Sequence, residues 1–214
     1  PPDGALIDLL FTEVPEGSVT LDILDGAGLR VRRFSTEPDE AQGDARLSLT
    51  RGHNRVVWNL RQADLYRVPN LYVFGSTRGQ RVPPGHYTVR LTVGEASQEV
   101  PLVVEVDPRV PDSTDALIEQ AALLAQIRAE IEQLHRSVVE LGVVRDRLDE
   151  LASQLEGLDT DDGSRLAEQG RELARELTVV EDSLVQWNTY DGQTVLDAPS
   201  RINFQFIILW GNVE

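Results

Sequence analysis

The sequence predicts a β-sandwich followed by a long antiparallel α-helical hairpin and a short C-terminal helix. Residues 5–106 contain short apolar stretches with alternating polar residues, separated by turn residues, which is typical of strands. Residues 117–155 then carry apolar side chains at heptad spacing, which is typical of paired helices. The charge changes between them, because residues 1–111 carry 15 acidic residues and 12 arginines whereas residues 112–214 carry 21 and 8. We therefore predict one domain over 1–111 and another over 112–214.

Six strands are predicted in the first domain. Asp25-Gly26-Ala27-Gly28 predicts a hairpin turn, since glycine readily adopts the positive φ that such turns require. Trp58 falls on the same strand face as Val56 and Leu60, so it is a candidate core residue. Residues 37–44 are expected to form a polar loop. The predicted strands are 5–11, 19–25, 29–34, 54–60, 86–93 and 99–106.

The first predicted helix covers 115–157, with Asp112, Ser113 and Thr114 as candidate N-cap residues. Its length would be about 64 Å at 1.5 Å per residue. The two heptad series of this helix are Leu117, Leu124, Ile131, Val138, Arg145 and Ala152, and Gln120, Ile127, Leu134, Leu141, Leu148 and Leu155.

The second predicted helix covers 164–187 and is much shorter than the first. Its expected buried series are Leu166, Leu173, Val180 and Trp187, and Gly170, Leu177 and Leu184. The early half of the first helix is thus left without a partner, so Leu117, Leu124, Ile127 and Ile131 form a candidate packing or partner surface. A C-terminal helix over 199–210 is expected to pack along 117–131 or at the junction with the β-domain.

Two resemblances are carried by sequence motifs. RVVWNLR, followed after a loop by GQRVPPGHYTVRLTV, resembles the immunoglobulin-like domain of the flagellar hook-capping family, which implies an immunoglobulin-like or fibronectin type III-like fold over 54–93. The whole arrangement resembles the C-terminal region of bacterial BNR-repeat (Asp-box) proteins, often described as sortilin-like or glycosyl-hydrolase-like. The motifs are PDGALIDLLF, VTLDILDGAGLRVRRFS, VEVDPRV and RINFQFIILWGNVE. This resemblance implies an upstream β-propeller in an exported bacterial protein, periplasmic or extracellular.

Composition and motifs argue against several functional classes. The net charge of −16 disfavours nucleic acid and anionic membranes, and no apolar run reaches the roughly 18 residues of a membrane span. Cysteine is absent, and the three histidines are far apart and expected at the surface or half-buried. The acidic turn over 159–163 lacks the EF-hand spacing and is better explained as a helix cap. We therefore predict no catalytic residues, no cofactor and no metal site.

A long loop between Arg61 and Arg81 is rich in large side chains. Tyr66, Leu71, Tyr72 and Phe74 form a candidate ligand or partner loop, because aromatic rings stack on sugars and dock proteins. The same residues could instead cover the sheet edge or meet the helices, and this packing interpretation is favoured.

The sequence therefore predicts a non-catalytic structural and protein-interaction module whose acidic hairpin is a docking or assembly surface. The expected partner is an upstream β-propeller, another protein subunit or a second copy of the chain. The alternatives are a carbohydrate-binding accessory domain and, less favoured, an enzyme that catalyses hydrolysis.

Overall fold

The computed structural model describes residues 3–40, 43–109, 114–158, 160–187 and 200–214. Within these residues strands precede helices, as predicted. The strands are β1 (Ala5–Phe11), β2 (Val19–Leu24), β3 (Arg30–Ser35), β4 (Ala45–Arg46), β5 (Gly52–Trp58), β6 (Gly85–Val93) and β7 (Ala96–Val104). The helices are α1 (Thr114–Glu156), α2 (Asp161–Leu184) and α3 (Ile202–Val213). The predicted domain boundary at 111–112, the cap residues Asp112 and Ser113, and Asp159 and Pro199 lie outside the described residues.

The strands form two sheets. β1 and β5 pair antiparallel, and the second sheet has the order β4-β3-β2-β6-β7, in which only the short β3–β4 pair is parallel. The predicted turn at Asp25 joins β2 to β3, and the Asp25 carboxylate accepts hydrogen bonds from the amides of Ala27 and Leu29. β5 ends two residues earlier than predicted, because Leu60 has a φ of 57° and leaves the extended conformation.

Both sheets contribute to one buried cluster. Leu9 and Trp58 come from the smaller sheet, and Leu21 and Ile23 come from the larger one. Trp58 is fully buried, and its indole N–H donates to the carbonyl of Arg61 at 2.8 Å, so burial leaves no polar atom of the ring unpaired. Trp58 is therefore a core residue, as its strand position predicted.

The described residues divide into two compact units that interleave along the chain. The first contains residues up to Tyr66, 77–126 and Glu214, and the second contains 67–76 and 127–213. Residues 67–76 belong with the helices, because Val68 and Leu71 are buried in one cluster with Val138 of α1 and Val185.

The helices follow the predicted heptads in α1, and α2 follows one predicted series, Gly170, Leu177 and Leu184, which is half-buried, but departs from the other. Every position of the two α1 series is buried or half-buried. In α2, however, the predicted residues Leu166, Leu173 and Val180 are about half exposed, and the adjacent Ala167, Ala174 and Glu181 are buried instead. The prediction for that series was wrong because small side chains allow the two helices to approach closely.

The bounds of α2 also differ from the prediction. Thr160 caps the helix by accepting a hydrogen bond from the amide of Gly163 at 3.0 Å, so the helix begins three residues earlier than predicted. Val185 has an extended backbone and ends the helix, which leaves Trp187 outside it. Similarly, α3 begins after Arg201, whose carbonyl accepts a hydrogen bond from the amide of Gln205.

Candidate functional site

The second half of α1 and α2 form an antiparallel hairpin with a seam of small residues. A Cβ atom placed on Gly170 would lie 3.7 Å from the Cβ of Ala152, and Ala152, Ala167 and Ala174 are all buried. Seam positions alternate three and four residues apart on both helices, which is the spacing of a coiled coil. The two backbones therefore approach each other closely along this seam.

One side of the seam is polar. Glu156 directly follows the seam residue Leu155, and Arg171 directly follows the seam residue Gly170. The guanidinium of Arg171 donates to Glu156, with an Nη2–Oε2 distance of 2.6 Å. This hydrogen bond lowers the pKa of the Glu156 carboxyl and raises the pKa of Arg171. Residues that directly follow the seam thus lie together on one side of the hairpin.

The opposite side of the seam is apolar. Because the helices are antiparallel, residues that directly precede a seam position on either helix lie together there, away from the Glu156–Arg171 pair. Those that precede Arg145 and Ala152 in α1, and Ala167, Ala174 and Glu181 in α2, are all aliphatic, as is Leu158 in the turn after α1. Each is between 46% and 63% exposed. We call these residues the apolar face: Val144, Leu151, Leu158, Leu166, Leu173 and Val180.

A row of this kind is unusual for a surface. Single exposed apolar residues are common, whereas contiguous apolar patches larger than a few hundred Å² are rare on monomeric proteins. A strict coiled-coil pair needs two apolar positions per heptad, and the apolar face adds a third on each helix. Each helix thus exposes aliphatic side chains beyond those that the seam between the two helices buries.

A groove of about 460 Å³ lies elsewhere in the same unit. Its wall includes the buried carboxylate of Glu181, which accepts a hydrogen bond from Arg145, and Arg145 also pairs with Asp146 at 3.2 Å. The remaining lining is mainly aliphatic and includes the half-exposed Trp187. The lining residues are Val68, Pro69, Val138, Val139, Gly142, Val143, Arg145, Asp146, Glu181 and Trp187.

The candidate loop residues are divided between the two units. Tyr66 is half-buried in the first unit, and Leu71, Tyr72 and Phe74 belong to the second. Leu71 is buried, and the Phe74 ring lies 6.1 Å from the ring of Phe204 in α3. Packing accounts for Leu71 and for part of the Phe74 ring, and Tyr72 and Phe74 each keep 39% of their surface exposed.

The candidate residues of α1 are mostly enclosed within the chain. Leu124, Ile127 and Ile131 are buried, and Leu117 is half-buried. They therefore pack internally, whereas the apolar face, in the later half of the hairpin, remains about half exposed. The signal that could have located it is the third apolar position in each heptad from Val144 onward.

His135 corrects one prediction about the histidines. It is fully buried rather than half-buried or at the surface, and its Nε2 lies 2.7 Å from the Oδ1 of Asn203 at the start of α3. By contrast, His53 is exposed and pairs with Asp8 at 3.0 Å. The buried polar pair links α3 to α1, close to the end of the predicted packing range 117–131.

Comparison with protein-family models, characterised proteins and solved structures finds no match to this chain. In the described ranges, no three histidine, aspartate or glutamate side chains converge to form a metal site. None of the helices in those ranges has the length and apolar character needed to cross a membrane.

Proposed function

We propose that this chain is a non-catalytic structural and protein-interaction module, and that the apolar face is its docking surface. The observation that carries the proposal is the continuous row of half-exposed aliphatic side chains on one side of the hairpin. Covering such a row removes apolar area from water, which is worth about 25 cal/mol per Å². A partner therefore gains most by binding along this side.

The wider setting of the module follows from the motifs and the strand arrangement. A single core shared by two sheets supports an immunoglobulin-like or fibronectin type III-like sandwich. The resemblance to BNR-repeat proteins supports a position after a β-propeller in a larger exported bacterial protein, in the periplasm or outside the cell. In that setting the propeller or another subunit can also contact the module.

Single-cysteine variants test the docking role, because the natural chain contains no cysteine. Val180→Cys places a thiol on the apolar face, and Val179→Cys places one on the adjacent residue, which is 70% exposed and off the face. We expect extract from the source cells to slow alkylation of Val180→Cys relative to buffer and to leave Val179→Cys unchanged. Equal alkylation of both thiols in both conditions would contradict the docking role.

Carbohydrate binding is the second candidate function. It is favoured by the exposed parts of the Tyr72 and Phe74 rings, since aromatic faces stack on sugar rings. A glycan array with the intact chain and with Tyr72→Ala tests it. Binding that disappears in the variant supports this function, and the absence of any binding, or binding that Tyr72→Ala leaves intact, removes it.

A further inference from the structure

The apolar face indicates the kind of partner that fits it. Helices with three apolar positions per heptad are typical of bundles, in which each helix packs against two neighbours. Both helices of the hairpin carry the third position, with Val144 and Leu151 in α1, followed by Leu158 in the turn, and with Leu166, Leu173 and Val180 in α2. The matching partner is therefore another pair of antiparallel helices with the same spacing, and this hairpin is itself such a pair.

We infer that a second copy of this chain covers the apolar face, and that the two hairpins form a four-helix bundle around a two-fold axis parallel to the helices. This inference rests on the proposed docking role of that face. Ala152 lies beside Gly170, so Leu151 of α1 is level with Leu173 of α2. The axis then places α1 of one copy against α2 of the other at equal heights. The matched pairs are Val144 with Val180, Leu151 with Leu173 and Leu158 with Leu166.

The apolar face is bordered by one row of residues on each helix, which we call its edges: Glu140, Arg147 and Gln154 of α1, and Gln169, Glu176 and Ser183 of α2. The charges along these edges fit the same arrangement. Arg145, Arg165, Arg171 and Arg175 each pair with a carboxylate, whereas Arg147 at one edge has no such partner among the described residues. At the same height on the opposite edge lies Glu176 of α2, which is also exposed and without an ion-pair partner among those residues. The two-fold axis brings Arg147 of each copy beside Glu176 of the other.

The remaining edge residues avoid like charges. The same operation places Gln154 beside Gln169 of the second copy, and Glu140 beside Ser183. A strongly acidic hairpin would ordinarily repel its own copy. Here the acidic side chains of the two edges face an arginine or a hydroxyl, so the excess negative charge lies elsewhere on the helices.

The dimensions of the face set the strength of association. Fourteen residues separate Leu166 from Val180 in α2, about 21 Å of helix, and two helices are about 20 Å wide. The projected area is therefore about 400 Å², below the roughly 800 Å² per partner of a standard stable interface. We accordingly expect reversible dimers with a micromolar dissociation constant.

Sedimentation equilibrium of the purified chain up to about 100 μM tests the dimer at concentrations above a micromolar dissociation constant. Val180→Glu should make the chain monomeric, and Val179→Glu should leave association unchanged. Circular dichroism of both variants verifies that the helices remain folded. A wild-type chain that is monomeric throughout, or equal dimerisation of both variants, would overturn the second-copy inference.

Charge exchange tests whether the contact is two-fold. Arg147→Glu alone and Glu176→Arg alone each place like charges together twice, and each should weaken association about tenfold, as expected from two surface pairs. Mixing the two variants restores both opposite-charge pairs in the heterodimer, so association should return. A mixture no stronger than either variant alone refutes this geometry.

The two proposals fail separately. If the purified chain remains monomeric while cell extract still protects Val180→Cys, the second copy is excluded and the docking role stands with another partner. If Val180→Cys is protected neither in extract nor at high concentration of the pure chain, both are excluded.

Discussion

The ion pair between Arg145 and Glu181 predicts an asymmetric response to mutation. The Glu181 side chain is 3% exposed, and that of Arg145 is 31% exposed with Asp146 as a second partner. Arg145→Met leaves a buried carboxylate without its cation, which should lower the free energy of unfolding by about 3–5 kcal/mol. Glu181→Met leaves an arginine that still reaches water and Asp146, so the loss should be about 1 kcal/mol or less.

The double variant completes the test. Replacing both partners with methionine removes both charges and leaves packed apolar side chains, which is often neutral or stabilising. Arg145→Met/Glu181→Met should therefore unfold at a higher urea concentration than Arg145→Met alone. Urea titrations followed by circular dichroism give the three free energies. Equal losses in the single variants, or a double variant as unstable as the sum of both, would refute this reasoning.

Three further predictions concern other parts of the chain. Gly163→Ala should destabilise the hairpin by about 1–3 kcal/mol, because its Cβ would lie 2.7 Å from the Leu155 carbonyl oxygen. Gly170→Ala has room for its Cβ and should stabilise the hairpin by about 0.5–1 kcal/mol, measured by the same urea titration. Burial raises the pKa of Tyr87 above 10.0, so the unfolded chain loses that proton first and the stability of the folded chain should fall as the pH rises past about 10. Tyr87→Phe should reduce this loss of stability, as measured by thermal unfolding across that pH range. The net charge of −16 predicts a melting temperature that rises between low and molar salt, and an unchanged value would exclude repulsion as a significant term.

The strands were predictable because their signals are local. Alternation along β2 and the glycines of the Asp25 turn depend on neighbouring residues alone, and the structure pairs β2 with β3 as expected. The fully buried Trp58 follows from the same alternation. Strand ends were less predictable, since the positive φ of Leu60 has no signature in the sequence.

The candidate site was harder to predict, because the side chains that pack between two helices depend on the distance between the helices as well as on side-chain polarity. Leu166 and Leu173 are more hydrophobic than Ala167 and Ala174, so the apolar pattern predicts that the leucines are buried. The alanines occupy the seam instead, because the helices approach closely there. The buried His135–Asn203 pair joins residues 68 positions apart, which no local pattern indicates. The acidic composition predicted an acidic surface on the hairpin, whereas the residues of the apolar face carry no charge.

The interleaving of the two units has a consequence for how this chain can be divided. Residues 67–76 belong with helices that follow fifty residues later, and Gln80 in the first unit donates to the Ala121 carbonyl at the start of α1. A protease cut or recombination point between residues 77 and 126 would separate Leu71 from Val138 and leave unpaired apolar surface in both fragments. We therefore expect gene fusion and recombination to transfer the two units together.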